Sequence, residues 1–196
     1  ESVKQVAVAD VVVLTKRDLA NADAQKSATR RVRAINPAAR LVNADCDDQL
    51  AGLLTDNVVS HRSAESERWV TDELNAVDAA QDSWEASGHD QGIRAFALTF
   101  DRPLDWTAFG IWLTMLLHRH GASVLRIKGI LNVDGEAAPV AVHGVQHLVH
   151  APTHMRAWPD GDRQTRIVFI VRDLDPADIE RSLAVFCRLD QAASAN

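Results

Sequence analysis

Apolar residues recur with two different periods along the chain, and the change of period predicts the order of strands and helices. The run Val11–Leu14 is continuously apolar and mostly β-branched, which predicts a strand buried on both faces of a parallel sheet. Residues 23–35 then have helical spacing up to Pro37, and a short strand at 41–42 and a helix at 48–54 follow. The predicted inner face of the first helix consists of Ala24, Ala28, Val32 and Ile35. Strand, helix, strand and helix make half of a doubly wound α/β sheet, as at the C-terminal end of a larger domain.

The second half of the chain has a different order of elements, β-α-β-β-β-α. Asp105 and Asp175 are N-cap residues at the start of its two predicted helices, and Gly121 ends the first of them. The predicted strands span 93–100, 124–133, 140–149 and 166–172, with a hairpin turn at Asp134-Gly135. The buried stripe of the last helix is predicted to consist of Ile179, Leu183, Phe186 and Cys187. This order predicts an α+β domain, with helices on one face of a mixed or antiparallel sheet.

An acidic segment separates the two halves. Residues 59–92 carry 8 acidic and 2 basic side chains, whereas acidic and basic residues balance on either side, so the net charge of −6 belongs to this segment. Its apolar positions, Val70, Leu74, Val77 and Trp84, form one stripe of an amphipathic helix. We therefore predict a first body at 1–58, a helical connector at 59–92, a second body at 93–190 and a tail at 191–196.

Composition narrows the classes of function. The chain is 46% hydrophobic and 24% charged, as expected of a globular protein with a sizeable core. The negative net charge argues against a nucleic-acid or anionic-membrane partner, and no apolar run is long enough to span a bilayer. The cysteines, Cys46 and Cys187, lie far apart in sequence, which favours a reducing, cytoplasmic compartment. The sequence leaves open whether the protein forms a homo-oligomer.

The tetrapeptide Thr15-Lys16-Arg17-Asp18 follows the first predicted strand, where open α/β sheets bind ligands. It resembles the guanine-specificity loop of P-loop GTPases, with Thr in the place usually held by Asn. A carboxylate such as Asp18 can accept two hydrogen bonds from guanine, a pattern that adenine does not offer, and the Lys16 stem can lie along the base. Asn43 and Ala44 stand where such proteins use backbone N–H groups against the guanine oxygen. The alternative is an ordinary strand-to-helix turn in which Asp18 starts the next helix.

Histidines cluster in the region 143–154. At strand rise, His143 and His147 would lie roughly 13 Å apart on one face, too far to share an ion. A turn after residue 149 would be needed to gather His150 and His154, which are the candidate ligands for zinc or cobalt. The alternative is a set of surface or hydrogen-bonded histidines without a metal.

Four segments in the second body carry a resemblance to a known family. They are LRIKGIL at 125–131, HGVQH at 143–147, WP at 158–159 and RIVFI at 166–170. In this order, after a Thr-Lys-x-Asp loop, they resemble the C-terminal part of CobW-type proteins, which are P-loop GTPases similar to metal chaperones, several of them linked to cobalamin biosynthesis or zinc supply. The resemblance implies an α/β remnant of a P-loop GTPase domain, followed by an α+β C-terminal domain.

The resemblance also implies a function, with limits set by what the sequence lacks. The parent protein would use GTP and Mg to deliver a divalent metal, cobalt or zinc, to a client metalloprotein. Thr15, Lys16, Asp18, Asn43 and Ala44 would bind guanine. The sequence contains no Gly-x-x-x-x-Gly-Lys-Ser/Thr phosphate loop and no Cys-x-Cys-Cys motif, so we expect these residues alone to bind no cofactor tightly and to hydrolyse no GTP. The alternative function is a non-enzymatic module that binds a client protein, on an exposed sheet face, or a metal.

Overall fold

The computed structural model describes residues 2–45, 92–158 and 161–189. It divides into two compact units, Glu1–Gly88 and His89–Asn196. The helix expected at 48–54, the connector up to residue 91, residues 159–160 and the tail at 191–196 lie outside the described residues. Within the described residues, no helix is long and apolar enough to cross a membrane.

In its described residues, 2–45, the first unit contains a parallel pair of strands and two α-helices. In chain order, its elements are α1 (Ser2–Val8), β1 (Val11–Leu14), α2 (Ala22–Ile35) and β2 (Arg40–Asn43). β1 and β2 pair in parallel, with Leu14 opposite Asn43, which agrees with the predicted α/β order. None of the β1 side chains is buried, and Val13 is exposed, so the expectation of a strand covered on both faces is wrong for the described part of the unit.

A buried asparagine fixes the ends of the helices in the first unit. Asn36 is fully buried, and its Nδ2 group donates to the backbone oxygens of Val6, Ala7 and Ala9 at 2.9–3.2 Å. Its Oδ1 atom accepts the N–H of Ala39 at 3.1 Å. Asn36 is also the C-cap of α2, so the predicted helix end is confirmed. Because every polar atom of this amide is bonded, its burial carries no desolvation penalty from an unmade hydrogen bond.

The inner face of α2 differs from the predicted one. Ala24 and Ala28 are exposed. The less exposed positions are Gln25, Thr29, Val32 and Ile35. The less exposed positions have helical spacing, as predicted. At the start of α2, however, they are Gln25 and Thr29, each one residue after the predicted Ala24 and Ala28. Gln25 forms hydrogen bonds on this side of the helix.

The described part of the second unit is an antiparallel sheet with two helices on one face. Its elements are β3 (Ile93–Phe100), α3 (Trp106–His120), β4 (Val124–Leu131), β5 (Val140–Val145), β6 (Leu148–Val149), β7 (Thr153–His154), β8 (Thr165–Arg172) and α4 (Pro176–Phe186). The strand order is β3-β8-β4-β5-β6, and β7 also pairs with β5. Since β8 lies between β3 and β4, the first three elements form a split β-α-β motif. The predicted α+β class is therefore confirmed.

Aromatic side chains fill the space between the helices and the sheet. Phe96 of β3 stacks on Phe169 of β8, with ring centroids 5.3 Å apart. Trp112 of α3 meets Phe169 edge to face at 6.4 Å. Ile179 and Leu183 of α4 complete the same cluster. Phe186, which we expected in the buried stripe, is instead exposed on the outer side of α4.

The face of the sheet opposite the helices also carries buried apolar side chains. Its apolar residues Ala95, Ile130, Val168 and Ile170 are buried as well. The alternative function expected an exposed sheet face for a client protein. That expectation is wrong for these central positions, because buried side chains offer no apolar surface to a partner.

The strand predicted at 140–149 is broken in two. Gln146 takes a left-handed conformation with φ 54°, and residues 146–147 form a tight turn between β5 and β6. The chain then returns along β5 as an edge strand, and the pairing shifts by one residue between β6 and β7. Pro152 lies at this shift, in an edge position that tolerates a residue without an N–H group.

Candidate functional site

The loop 15–18 leaves the carboxyl end of β1 as a tight turn. Lys16 has φ 55° and ψ 36°, a left-handed conformation, and Arg17–Leu19 form one turn of 3₁₀ helix. The N–H groups of Leu19 and Ala20 donate to Lys16 O and Arg17 O at 3.1 and 3.2 Å. The side chains of Thr15, Lys16 and Asp18 are exposed on this turn.

The alternative reading of Asp18 as a helix start does not fit the geometry. Asn21, not Asp18, is the N-cap of α2, and its side chain accepts the N–H of Ala24 at 2.8 Å. The Asp18 carboxylate forms no hydrogen bond or ion pair with the described residues. Asp18 is therefore not needed to cap α2, and its carboxylate is presented to the exterior.

The end of β2 lies beside this turn. Because Leu14 pairs with Asn43, both strands end at one edge, and the predicted base-contact residues Thr15, Lys16, Asp18 and Asn43 lie at that edge. The Ala44 N–H donates to Leu14 O at 3.0 Å. This corrects the expectation for Ala44, because its N–H extends the strand pairing and is not directed at a base.

Two residues that sequence reasoning missed also belong to this edge. Gln25 bonds to the turn through both ends of its side-chain amide, and Asp45 forms an ion pair with Arg17 at 3.5 Å. A periodicity analysis treats Gln25 as one polar position among many on α2. The contact joins residues eight positions apart across a turn, which helical spacing does not report.

The histidines at 143–154 do not assemble as a metal site. The His150 N–H donates to His143 O at 2.9 Å, which continues the β5–β6 register, whereas His154 pairs with Val140 after the register shift. A shift of one residue reverses the face of every later side chain, so His150 and His154 point to opposite faces. The candidate pair therefore does not share an ion.

A second arrangement of ligand-type groups occurs nearby. His154 Nε2 lies 3.7 Å from Glu136 Oε2, and both side chains are largely exposed. In the parts of the chain that the structure describes, no three His, Cys, Asp or Glu side chains come close enough to hold a metal ion. Two ligands alone leave a divalent transition metal mostly bound to water.

Cys187 lies at the C-terminal end of α4. It is buried in the core, and its surroundings raise the pKa of the thiol to about 11, first by burial and then by the nearby Asp105 carboxylate. A thiol that stays protonated is a poor nucleophile and a poor metal ligand at neutral pH. Cys187 is therefore a core residue, as the sequence indicated.

Comparisons with known proteins give one matching family and a curated relative. Residues 93–187 match the family described as the C-terminal domain of the cobalamin synthesis protein cobW. A curated relative, the zinc chaperone YjiA of Escherichia coli (strain K12), is 28% identical over 187 residues, covering 92% of this chain and 52% of that protein. The chain thus spans about half the length of this curated relative.

Solved structures show the same fold. A zinc-bound YjiA GTPase from E. coli superimposes with a TM-score of 0.58 at 22% identity, covering 94% of this chain and 54% of the other. A zinc-bound triple mutant of the YjiA GTPase gives a TM-score of 0.59 at 21% identity, with the same coverage. Together with the match over 93–187, these similarities support a CobW-like C-terminal part, in which residues 93–187 are similar to the cobW C-terminal domain family.

Proposed function

We propose that this chain is the C-terminal part of a CobW-like GTP-binding metallochaperone, which delivers a divalent metal such as zinc or cobalt to a client protein in the cytoplasm. The observation that carries the proposal is the common edge of β1 and β2. There, the turn bearing the exposed Asp18 lies beside the end of β2. The similarity to a zinc chaperone supports zinc as the cargo.

The proposed roles follow from hydrogen-bond chemistry. The Asp18 carboxylate accepts from N1–H and from the exocyclic amine of guanine, two donors that adenine does not present together. The Lys16 stem covers one face of the base, and Thr15 steadies the start of the turn. Asn43 borders the base from the end of β2. Ala44 supports this edge through its bond to Leu14 and makes no direct contact.

Phosphate binding and hydrolysis are assigned to another part of the protein. The present sequence contains no phosphate loop, and phosphoryl transfer needs such a loop together with Mg to hold the phosphates. GTP binding and hydrolysis would then change how the parent protein holds its metal cargo, in the manner of a nucleotide switch. Residues 1–196 alone are expected to show no GTP turnover.

The experiment uses the full-length protein encoded by the reading frame that contains this sequence. Guanosine, xanthosine and adenosine diphosphates are titrated into the wild type and the Asp18→Asn variant. Asn presents a donor where Asp presents an acceptor, so we expect Asp18→Asn to lose guanine affinity and gain xanthine affinity. Asp23→Asn, an exposed acidic residue on α2, is the control for charge. Unchanged base preference in Asp18→Asn contradicts the proposed role.

A second candidate function is client binding by the second unit without catalysis. The observation that favours it is the outer surface of the helices, where Ile111, Met115, Val185 and Phe186 are exposed apolar side chains. Met115→Glu and Val185→Glu should release a client captured by the wild-type chain. Thr114→Glu adds the same charge at a neighbouring exposed polar residue and should retain more of the client. Equal capture by all variants contradicts this function.

A further inference from the structure

One side chain of α2 holds both ends of the turn that carries Asp18. The Gln25 Oε1 atom accepts from Arg17 Nε at 3.1 Å and from Arg17 Nη2 at 3.0 Å. The Gln25 Nε2 group donates to Arg17 O at 2.8 Å and to Ala20 O at 2.9 Å. A glutamine amide has two donors and two acceptor positions, and all four are used here on one turn of chain.

The guanidinium of Arg17 extends this connection to the second strand. Arg17 Nη1 lies 3.5 Å from Asp45 Oδ2, two residues beyond the end of β2. The turn, α2 and the segment after β2 are thus joined through Arg17. Hydrogen bonds to an ionised group are stronger than those between neutral groups, and both Arg17 and Gln25 are partly buried, which limits competition by water.

The two anchored carbonyls lie on either side of Asp18 in the sequence. Arg17 O precedes Asp18 and Ala20 O follows it, so fixing both fixes the backbone from which the Asp18 carboxylate projects. Asp18 itself has no partner among the described residues to hold it in place. Recognition of a base by two parallel hydrogen bonds needs a carboxylate whose position is set before binding.

We infer that Gln25 and Arg17 are positioning residues for base recognition, and that they tune selectivity for purines that carry a 2-amino group. The inference rests on the proposed function and deepens it: Asp18 contacts the base, whereas Gln25 and Arg17 act through Asp18. Loosening the turn should therefore weaken guanine binding more than hypoxanthine binding, because only guanine offers the exocyclic amine as a second donor to Asp18.

The test measures affinities of the full-length protein for guanosine, inosine and adenosine diphosphates. Gln25→Leu should weaken guanosine diphosphate binding about tenfold and reduce the guanosine-over-inosine preference, with adenosine diphosphate binding unchanged. Ser27→Leu, an exposed position on the same helix without a bond to the turn, is the matched control and should keep wild-type preference. Circular dichroism confirms that each variant retains its helices.

A double-mutant cycle separates positioning from general destabilisation. Gln25→Leu and Arg17→Leu both remove the two bonds from Arg17 Nε and Nη2 to Gln25 Oε1, so the double variant should lose less guanosine diphosphate affinity than the sum of the two single losses. Additive losses, or a guanosine-over-inosine preference that stays at the wild-type value in Gln25→Leu, overturn the inference. If wild-type protein shows no preference for guanosine over adenosine diphosphate, the proposed function itself fails, and this outcome is distinct from the other two.

Discussion

The indole N–H of Trp112 donates to the hydroxyl oxygen of Ser182 at 3.0 Å and so joins the two helices of the second unit. Trp112 is buried, and Ser182 also donates its own proton to Ile179 O at 2.8 Å. The ring of Trp112 also contacts Phe169, so this polar contact lies at the boundary of the aromatic core. A buried indole N–H without an acceptor loses the hydrogen bond that it makes to water in the unfolded chain.

Ser182→Ala should therefore destabilise the second unit by about 0.5–1.5 kcal/mol, because it removes the side-chain acceptor of the Trp112 N–H. Urea unfolding followed by circular dichroism measures the change in the free energy of unfolding. Thr114→Ala is the control, since its hydroxyl bonds Gly110 O on the exposed side of α3, and it should cost less than about 0.5 kcal/mol. Equal effects of the two substitutions would show that the Trp112 contact contributes nothing.

Replacing either of two glycines of the second unit by alanine should change its stability in opposite directions. A Cβ atom at Gly129 in β4 would lie 2.9 Å from Arg166 O and 3.1 Å from Ile167 Cγ1. Since a backbone oxygen of the neighbouring strand cannot yield easily, Gly129→Ala should destabilise the unit by about 1–3 kcal/mol. A Cβ atom at Gly110 in α3 meets nothing within 4 Å, so Gly110→Ala should stabilise by up to about 1 kcal/mol through helix propensity.

Urea unfolding followed by circular dichroism measures the effect of both glycine substitutions. The predicted result is a pair of shifts with opposite signs. Stabilisation by Gly129→Ala would mean that the sheet relaxes around the new methyl group, and it would contradict the packing described for β4.

Local signals in the sequence predicted much of the fold. Asp105 and Asp175 were predicted as N-caps, and each side chain accepts a backbone N–H from the first turn of its helix. The strand at 93–100 has the predicted bounds, because alternating apolar residues and caps act over a few positions. The break at Gln146 was missed, since this turn uses a left-handed glutamine where sequence rules expect glycine or asparagine.

The candidate site was only partly accessible from sequence. The turn 15–18 follows β1 as a contiguous motif, so a pattern was enough to find it. The contribution of Gln25 depends on how α2 returns against the turn, and the separation of His150 from His154 depends on a register shift at an edge strand. Both are consequences of long-range packing, which residue spacing alone does not encode.

The buried thiol of Cys187 predicts a reactivity difference between native and unfolded protein. Burial, together with the Asp105 carboxylate, raises the pKa of this thiol from 9.0 to about 11. The thiolate fraction at pH 8 is then about 100-fold lower in the native state than in the unfolded state. In a Cys46→Ser background, iodoacetamide should label Cys187 at least that much more slowly in buffer than in urea.

The same shift sets a pH window for stability. The native thiol binds its proton more tightly than the unfolded thiol, so this stabilising contribution is complete below pH 9 and is lost as the pH rises towards 11. Asp105→Asn keeps an N-cap side chain and removes the negative charge that helps to raise the pKa of Cys187. The native pKa should therefore fall, and the pH range over which this stability is lost should become narrower, while α3 remains folded. Equal labelling rates in buffer and in urea would contradict the burial of Cys187.

Zinc titration of residues 1–196 distinguishes the two arrangements of histidine. His154 lies beside Glu136, whereas His150 faces the opposite side of the sheet, so the two histidines should not act together. Calorimetry should detect at most weak zinc binding, which should fall in both His154→Ala and Glu136→Gln and should be unchanged in His150→Ala. Equal losses in His150→Ala and His154→Ala would mean that the edge strand re-pairs when zinc binds, because only a one-residue shift of register brings these side chains to one face.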